Sequence, residues 1–302
     1  MAEKEVKDID SLIDQGLNAE NNELDLREKE LDDEDLIKVL ESDKVKGVTA
    51  LFLEFNDIGD EGLKALVESD KMKFLTALNL FKNKVTDEGL KALVKSKNML
   101  NLSELILSDN EISHEGAKMV ATSNILGSLV SQGLEDKVGD EGVKALATSE
   151  TLTRLTQLSL YRNNIGNEGA LAIAQSKNLS NLTELNLNWN YIDGEGVEAL
   201  AGSETLNNLK QLTLTFNPVG LRGAEAIAGS ENFRELTLID LYETDLGNAG
   251  ARVLSESTKL PNLETLVLIH NDIGDEVQAL FKDNKNFPKI KDVYFFTAKA
   301  EV

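Results

Sequence analysis

The sequence contains no cysteine, and this absence excludes several functional classes. Without cysteine there can be no disulfides, thiolate metal sites or cysteine nucleophiles. There are only two histidines, His114 and His270, and neither is followed three or four residues later by a metal ligand. Phosphate-binding glycine loops, nucleophile elbows and calcium-binding loops are also missing. The chain is therefore predicted to be neither an enzyme nor a cofactor-binding protein.

Long apolar runs and an excess of basic residues are absent as well. No apolar run approaches the ~18 residues of a membrane span, and the first ten residues do not resemble a secretory signal, which favours a cytoplasmic location. The 53 acidic and 31 basic residues give a formal net charge of −22. This charge repels nucleic acids and anionic membranes. It suits a basic protein partner, although solubility alone also explains an acidic surface.

A repeat with a step of 27 residues organises the chain, as from Leu24 to Leu51. Pairs of apolar residues two apart recur at this step, which predicts short strands with one buried face. An asparagine follows most of these strands, where a buried amide can bond backbone groups of adjacent turns. The asparagines are Asn56, Asn83, Asn110, Asn163, Asn190, Asn217 and Asn271.

A short helix is predicted after each asparagine. Small or acidic residues suited to a helix start come first, and Leu63, Leu66 and Val67 then have the spacing of an apolar helix face. A recurring glycine, such as Gly62 or Gly89, is expected to let the helix approach the sheet closely. A serine recurs where each helix ends, which predicts hydroxyl caps for backbone groups.

The segment LTALNLFKNKVTDEG at 75–89 resembles a leucine-rich repeat of the ribonuclease-inhibitor-like class. The resemblance covers about 24–296 and implies an α/β solenoid, shaped as a horseshoe, with a parallel sheet on its concave side and helices on its convex side. Cysteine-free GDEGxxALA repeats are also similar to leucine-rich-repeat proteins of bacteria that live within eukaryotic cells. Some of those are delivered into the host as effectors, so the host cytoplasm is an alternative location.

The repeat pattern predicts three parts: an N-terminal helical cap over 1–23, repeats over 24–289, and a C-terminal capping strand and tail over 290–302. Val6, Ile9 and Leu12 have helical spacing in the cap. One unit is a residue short between about 130 and 137 and puts Gln132 where a core leucine is expected. We interpret it as a local defect, with a functional hinge as the alternative. A monomer is expected.

The predicted concave surface is rich in aromatic residues. Helices are ~10 Å wide and neighbouring strands ~4.8 Å apart, so stacked repeats should curve with the strands inside. Aromatic residues favour strands in general, but small polar residues such as Asn188 and Thr215 share these positions, a mixture typical of interfaces. The predicted partner-binding residues are Phe52, Phe55, Phe81, Tyr161, Arg162, Trp189, Phe216, Tyr242 and His270, with Tyr294 and Phe296 near the chain end.

The expected function is protein binding through this surface. Tyr161, Trp189, Phe216 and Tyr242 are expected to anchor the partner. Charged residues are expected to orient it: Glu54, Asp109, Arg162, Asp240 and Glu243. The resemblance leaves three roles open: an effector that acts on a host protein, an inhibitor or regulator of a basic enzyme or GTPase, and a cytoplasmic scaffold.

Overall fold

The computed structural model describes residues 7–129, 131–134 and 137–296. The predictions for Val6 and for the last residues of the tail lie outside this part. The chain divides into two compact units. The N-terminal unit comprises Met1–Lys137 with Glu150–Arg154, and the C-terminal unit comprises Val138–Ser149 with Leu155–Val302.

Each repeat contributes one short strand to a parallel sheet, as the alternating leucines predict. Leu24 pairs with Leu51 and Leu51 with Leu78, so equivalent positions of successive repeats lie side by side. In the N-terminal unit the strands are β1 (Leu17–Asn18), β2 (Glu23–Asp25), β3 (Ala50–Phe52), β4 (Ala77–Asn79), β5 (Glu104–Ile106) and β6 (Ser131–Gly133). In the C-terminal unit they are β7 (Gln157–Ser159), β8 (Glu184–Asn186), β9 (Gln211–Thr213), β10 (Leu238–Asp240), β11 (Thr265–Val267) and β12 (Asp292–Tyr294).

A helix follows the strand in each repeat, and one further helix precedes the first strand. In the N-terminal unit the helices are α1 (Ile9–Gly16), α2 (Asp33–Glu41), α3 (Asp60–Glu68), α4 (Asp87–Leu93) and α5 (His114–Ala121). In the C-terminal unit they are α6 (Gly139–Ala147), α7 (Asn167–Gln175), α8 (Gly194–Ala201), α9 (Gly220–Gly229), α10 (Gly247–Glu256) and α11 (Asp275–Gln278). Short 3-10 turns lie at Asp43–Val45, Asp70–Met72, Leu126–Ser128 and Ala279–Phe281.

The core of each unit lies between the sheet and its helices. Leu51 and Leu53 of the strand segment are buried, as are Leu63 and Leu66 on the facing side of α3. Each buried leucine stabilises the fold by about 1.5–3 kcal/mol through removal of apolar surface from water. Because every repeat supplies the same columns, the core continues from one repeat to the next within each unit.

The recurring asparagines join adjacent repeats through buried hydrogen bonds. The Asn190 amide nitrogen donates to the carbonyls of Leu160 and Leu187, both at 2.9 Å. Its oxygen accepts from the backbone N–H groups of Asn163 and Ile165, both at 3.0 Å. The same pattern recurs around Asn56, Asn83, Asn110 and Asn217.

The serines at the helix ends also join repeats. Ser203 Oγ donates to the carbonyl of Ala174, and Ser230 Oγ to that of Ala201, each at 2.6 Å. Each acceptor belongs to the helix end of the preceding repeat, where a carbonyl lacks an intrahelical partner. These serines therefore cap the preceding repeat's helix.

The recurring glycine is explained by the neighbouring helix, so the predicted close approach to the sheet was wrong. Asp60 Oδ1 accepts from the backbone N–H groups of Thr86, at 2.8 Å, and Gly89, at 3.0 Å. A Cβ atom at Gly89 would lie 2.5 Å from Asp60 Oδ1 and 3.1 Å from Asp60 Cα. The first turns of successive helices therefore approach each other through an aspartate that a larger residue would displace.

Gly89→Ala is expected to lower the free energy of unfolding by about 1–3 kcal/mol, because the methyl group displaces Asp60 and breaks its hydrogen bonds. Alanine's better helix propensity, about 1 kcal/mol, offsets part of this loss. Urea unfolding measures the change. Gly229→Ala is the matched control, because a Cβ atom there meets nothing within 4 Å. Equal stability of the Gly89→Ala variant and the wild type would contradict the assigned role of Asp60.

The irregular repeat lacks one residue after its strand, β6. Gln132 pairs in register with Leu105, and Leu134 is fully buried in the position of Leu107. Val138 is buried in the position of Ile112, one residue early. The missing residue therefore lies between Leu134 and Val138. Residues 130, 135 and 136 lie outside the described part, so the hinge hypothesis stays a prediction.

The N-terminal segment forms more than the predicted helix. After α1, strand β1 pairs antiparallel with β2, with Leu17 opposite Leu24. Gly16 permits this return, because a Cβ atom there would lie 2.1 Å from the carbonyl oxygen of Asp25. Ile13 of α1 is fully buried, which is consistent with a cap over the first repeat.

Candidate partner-binding surface

The residue that precedes the asparagine position has a left-handed backbone in almost every repeat. Its φ lies between +50° and +58° at Glu28, Phe55, Lys82, Asp109, Arg162, Trp189, Phe216, Glu243 and His270. Its backbone N–H donates across the repeats, as from Trp189 to the Thr215 carbonyl at 2.7 Å. The hydrogen bonding of the repeat thus imposes this conformation whatever the side chain.

Four aromatic rings of the C-terminal unit form a continuous row, here called the aromatic row. The Trp189 and Phe216 centroids lie 4.0 Å apart, those of Phe216 and Tyr242 5.2 Å, and those of Tyr242 and His270 4.9 Å. The Tyr242 hydroxyl is also 3.1 Å from His270 Nδ1. Trp189 remains 45% exposed. The structure therefore joins four predicted site residues, one from each of four consecutive repeats.

Carboxylates lie beside this row. Asp240 Oδ1 accepts from the backbone N–H of Tyr242 at 3.0 Å, and burial raises the pKa of the Asp240 carboxyl. Glu243 Oε2 lies 3.5 Å from His270 Nδ1. Asp240 and Glu243 thus lie beside the aromatic row, and their role in orienting a partner stays a prediction.

Further residues that were predicted to bind the partner also lie in the C-terminal unit. Tyr161 is half-buried and shares the column of Tyr242, whereas exposed Arg162 shares the column of Trp189. Tyr294 and Phe296, at β12 and just after it, are exposed. Sequence reasoning missed Tyr191, which is 67% exposed and follows the ladder residue Asn190. The sequence could have indicated Tyr191, because the equivalent position in the other repeats is occupied by polar residues or proline.

The predicted aromatic residues of the N-terminal unit form a second group. The rings of Phe55 and Phe81 meet edge to face with centroids 5.2 Å apart. Lys82 Nζ lies 5.2 Å from the Phe55 centroid. The guanidinium of Arg27 lies 5.7 Å from the centroid of Phe52. Cations already lie near these rings, an arrangement that the ring quadrupole favours.

Glu54 lies buried beside this second group. It is 8% exposed, and Oε1 accepts from Asn79 Nδ2 at 2.8 Å. Among the described residues, Oε2 finds no hydrogen-bond donor. Burial raises the pKa of the Glu54 carboxyl, because desolvation disfavours the ionised form.

The raised pKa of Glu54 predicts a pH-dependent cost to folding. The Glu54 carboxyl ionises at lower pH in the unfolded chain than in the folded chain. The destabilisation is therefore absent below pH 4.5, the pKa of this carboxyl in the unfolded chain, and complete above its pKa in the folded chain. The stability of the wild type relative to Glu54→Gln should therefore fall as the pH rises from 4.5 towards 7. Urea unfolding across this range measures the difference, with exposed Glu61→Gln as control. A difference that is constant with pH would contradict the prediction.

Comparison with known proteins supports the repeat architecture. The family model described as "Leucine Rich repeat" matches seven segments: 48–67, 71–94, 98–121, 151–174, 178–201, 205–228 and 259–276. No curated protein matches this chain in sequence. None of the helices in the described residues has the length and apolar character needed to cross a bilayer.

Two solved structures are similar to the chain. A chain in the crystal structure of the yeast Rad7–Elc1 complex is 18% identical with a TM-score of 0.62, over 93% of this chain and 72% of that one. An internalin (inlF) from Listeria monocytogenes is 20% identical with a TM-score of 0.37, over 92% of this chain and 88% of that one.

Stacked strand–helix repeats joined by asparagine hydrogen bonds define an α/β solenoid. The chain belongs to the leucine-rich-repeat family. Members of this family are generally protein-interaction modules.

Proposed function

We propose that this protein binds a protein partner through the aromatic row Trp189–Phe216–Tyr242–His270. The observation that carries the proposal is the contact of four rings across four repeats, with Trp189 nearly half exposed. Exposed tryptophan and tyrosine side chains are the residues that most often dominate binding energy at interfaces. Tyr161, Arg162 and exposed Tyr191 extend the proposed surface.

The backbone at Trp189 and Phe216 supports a functional role for these side chains. Both residues have φ near +56°, a conformation in which bulky side chains are uncommon and asparagine or glycine is preferred. Such strain costs on the order of 1 kcal/mol or more for each residue. The repeat requires the left-handed turn but not an aromatic side chain, since Lys82 and Asp109 occupy equivalent positions. Partner binding accounts for aromatic residues at these two positions.

The charge of the chain favours a basic partner. The formal net charge is −22, and exposed Glu243, Asp245 and Asp272 lie near the row in sequence. Complementary charge accelerates association and makes it sensitive to salt. A basic enzyme held by this surface would be inhibited or regulated, and a host protein would fit an effector role. The yeast complex, in which Rad7 is paired with Elc1, supports protein pairing for this fold.

Trp189 provides a direct test, because it is the single tryptophan of the chain. Titration with basic proteins that lack tryptophan, beginning with a basic ribonuclease, is monitored by Trp189 emission and by acrylamide quenching. Binding at the row should shift the emission to shorter wavelength and reduce quenching, and salt should weaken the response. If calorimetry shows that a basic protein binds while Trp189 emission and quenching stay unchanged, the protein binds outside the aromatic row. That result would contradict the proposal.

A further inference from the structure

A cavity of about 760 Å³ lies in the N-terminal unit, beside the second aromatic group. The end of α1 contributes Gln15 and Gly16 to its wall. The segments after strands β3 and β4 contribute Phe55 and Phe81, and buried Glu54 also belongs to the lining. The cavity thus combines apolar ring surface with a buried carboxylate, and none of its lining residues belongs to the aromatic row.

The carboxylate of Glu54 is only half satisfied. Oε1 is held by Asn79, whereas Oε2 has no donor among the described residues although Glu54 is more than nine-tenths buried. A buried acceptor without a partner costs about 1–3 kcal/mol, and more if it is charged. A ligand that donates a hydrogen bond to Oε2 would recover this free energy.

None of the nearby cations in the described residues donates a hydrogen bond to Oε2, including exposed Lys29, which also lines the cavity. Arg27 Nε donates to Asp25 Oδ1 at 2.9 Å, and Nη2 donates to Asp25 Oδ2. This pairing lowers the pKa of the Asp25 carboxyl. Lys82 Nζ lies by the Phe55 ring. The donor for Glu54 Oε2 must therefore come from outside this group of side chains.

The chemistry of the lining selects the kind of ligand. Ring faces attract cations, and Oε2 requires an N–H or O–H donor. A primary ammonium satisfies both requirements, whereas a quaternary ammonium has no hydrogen to donate. Three lining carboxylates, of Asp25, Glu28 and Glu54, against the cations Arg27 and Lys29 disfavour an anion.

We propose that this cavity binds a primary alkylammonium group, which donates a hydrogen bond to Glu54 Oε2 while its methylene groups pack against Phe55 and Phe81. The group belongs either to a lysine side chain of a protein or to a free small amine. This site shares no residue with the aromatic row, so the two proposals can succeed or fail independently.

Calorimetric titration of the full chain tests the proposal. The probes are Nα-acetyl-lysine methylamide, its norleucine analogue, its Nε-acetylated form and n-butylamine. The lysine compound should bind at least about tenfold more tightly than the norleucine and Nε-acetylated compounds, the effect of one charged hydrogen bond. Tetramethylammonium should be a similarly weak ligand. If butylamine binds more tightly than the lysine compound, the source is a free amine, and the reverse order indicates a protein lysine.

Glu54→Gln should weaken binding of the best probe by at least about tenfold, because the carboxylate charge is lost. Glu61→Gln, an exposed change on α3 of the same unit, should leave binding unchanged. Circular dichroism confirms that each variant is folded. Phe55→Ala provides a second variant, with a smaller expected loss. Equal binding of the lysine and norleucine compounds, or full affinity in folded Glu54→Gln, would overturn the proposal and leave Oε2 as a buried acceptor without a donor among the described residues.

Discussion

The double variant Trp189→Ala/Phe216→Ala is expected to weaken partner binding by about 10²–10³-fold, the effect of removing two aromatic anchors. Surface plasmon resonance with a partner identified by the Trp189 titration measures the loss. The matched control is Leu171→Ala/Leu221→Ala, which removes exposed leucines from helices α7 and α9. The control should retain wild-type affinity. An equal loss in both double variants, or no loss in the aromatic one, would contradict the proposed surface.

The ring contact also predicts how the single variants combine. Trp189 and Phe216 have centroids 4.0 Å apart, so loss of either ring changes the packing of the other. Substitutions at contacting residues are generally not additive. The losses of binding free energy in the Trp189→Ala and Phe216→Ala single variants are added together. This sum should differ from the loss in the double variant by about 0.5 kcal/mol or more.

Asn190→Ala is expected to lower the free energy of unfolding of the C-terminal unit by about 3 kcal/mol or more. The change removes the amide nitrogen that donates to the carbonyls of Leu160 and Leu187, of which Leu187 still accepts from Asn217 Nδ2. It also leaves the N–H groups of Asn163 and Ile165 without their side-chain acceptor. Each buried polar group left without a partner costs about 1–3 kcal/mol. Urea unfolding followed by circular dichroism and by Trp189 fluorescence measures the loss.

Asn207→Ala is the control for that experiment. Asn207 is exposed, and its amide donates to the Glu204 carbonyl at 2.8 Å. Its loss should cost less than about 0.5 kcal/mol, as is usual for surface substitutions. If Asn190→Ala were as mild as Asn207→Ala, the asparagine ladder would not be a main source of cohesion between repeats.

The helix-start aspartates show where sequence reasoning stopped short. Asp60 matches the acidic first turn expected of a helix, and its position predicts a favourable interaction with the helix dipole. In the structure Asp60 also accepts two backbone hydrogen bonds from the next repeat. Asp140 does the same for Gly166 and Gly169. Part of the acidic composition therefore serves cohesion between repeats rather than attraction of a partner.

The sequence by itself determined the parallel α/β repeat, its buried leucine columns and the inter-repeat roles of the asparagines. A step of 27 residues assigns each residue a position in the repeat, and that position decides which side chains are buried. The predicted curvature of the solenoid and the domain boundaries stay predictions.

Only the tertiary structure decided which side chains of different repeats meet. It paired Trp189 with Phe216 and Tyr242 with His270, and it left Glu54 Oε2 without a donor among the described residues. These results depend on distances of a few ångströms between side chains 27 or 28 residues apart. Sequence periodicity places such residues in the same or neighbouring columns of successive repeats, but side-chain rotamers and local burial determine whether they touch.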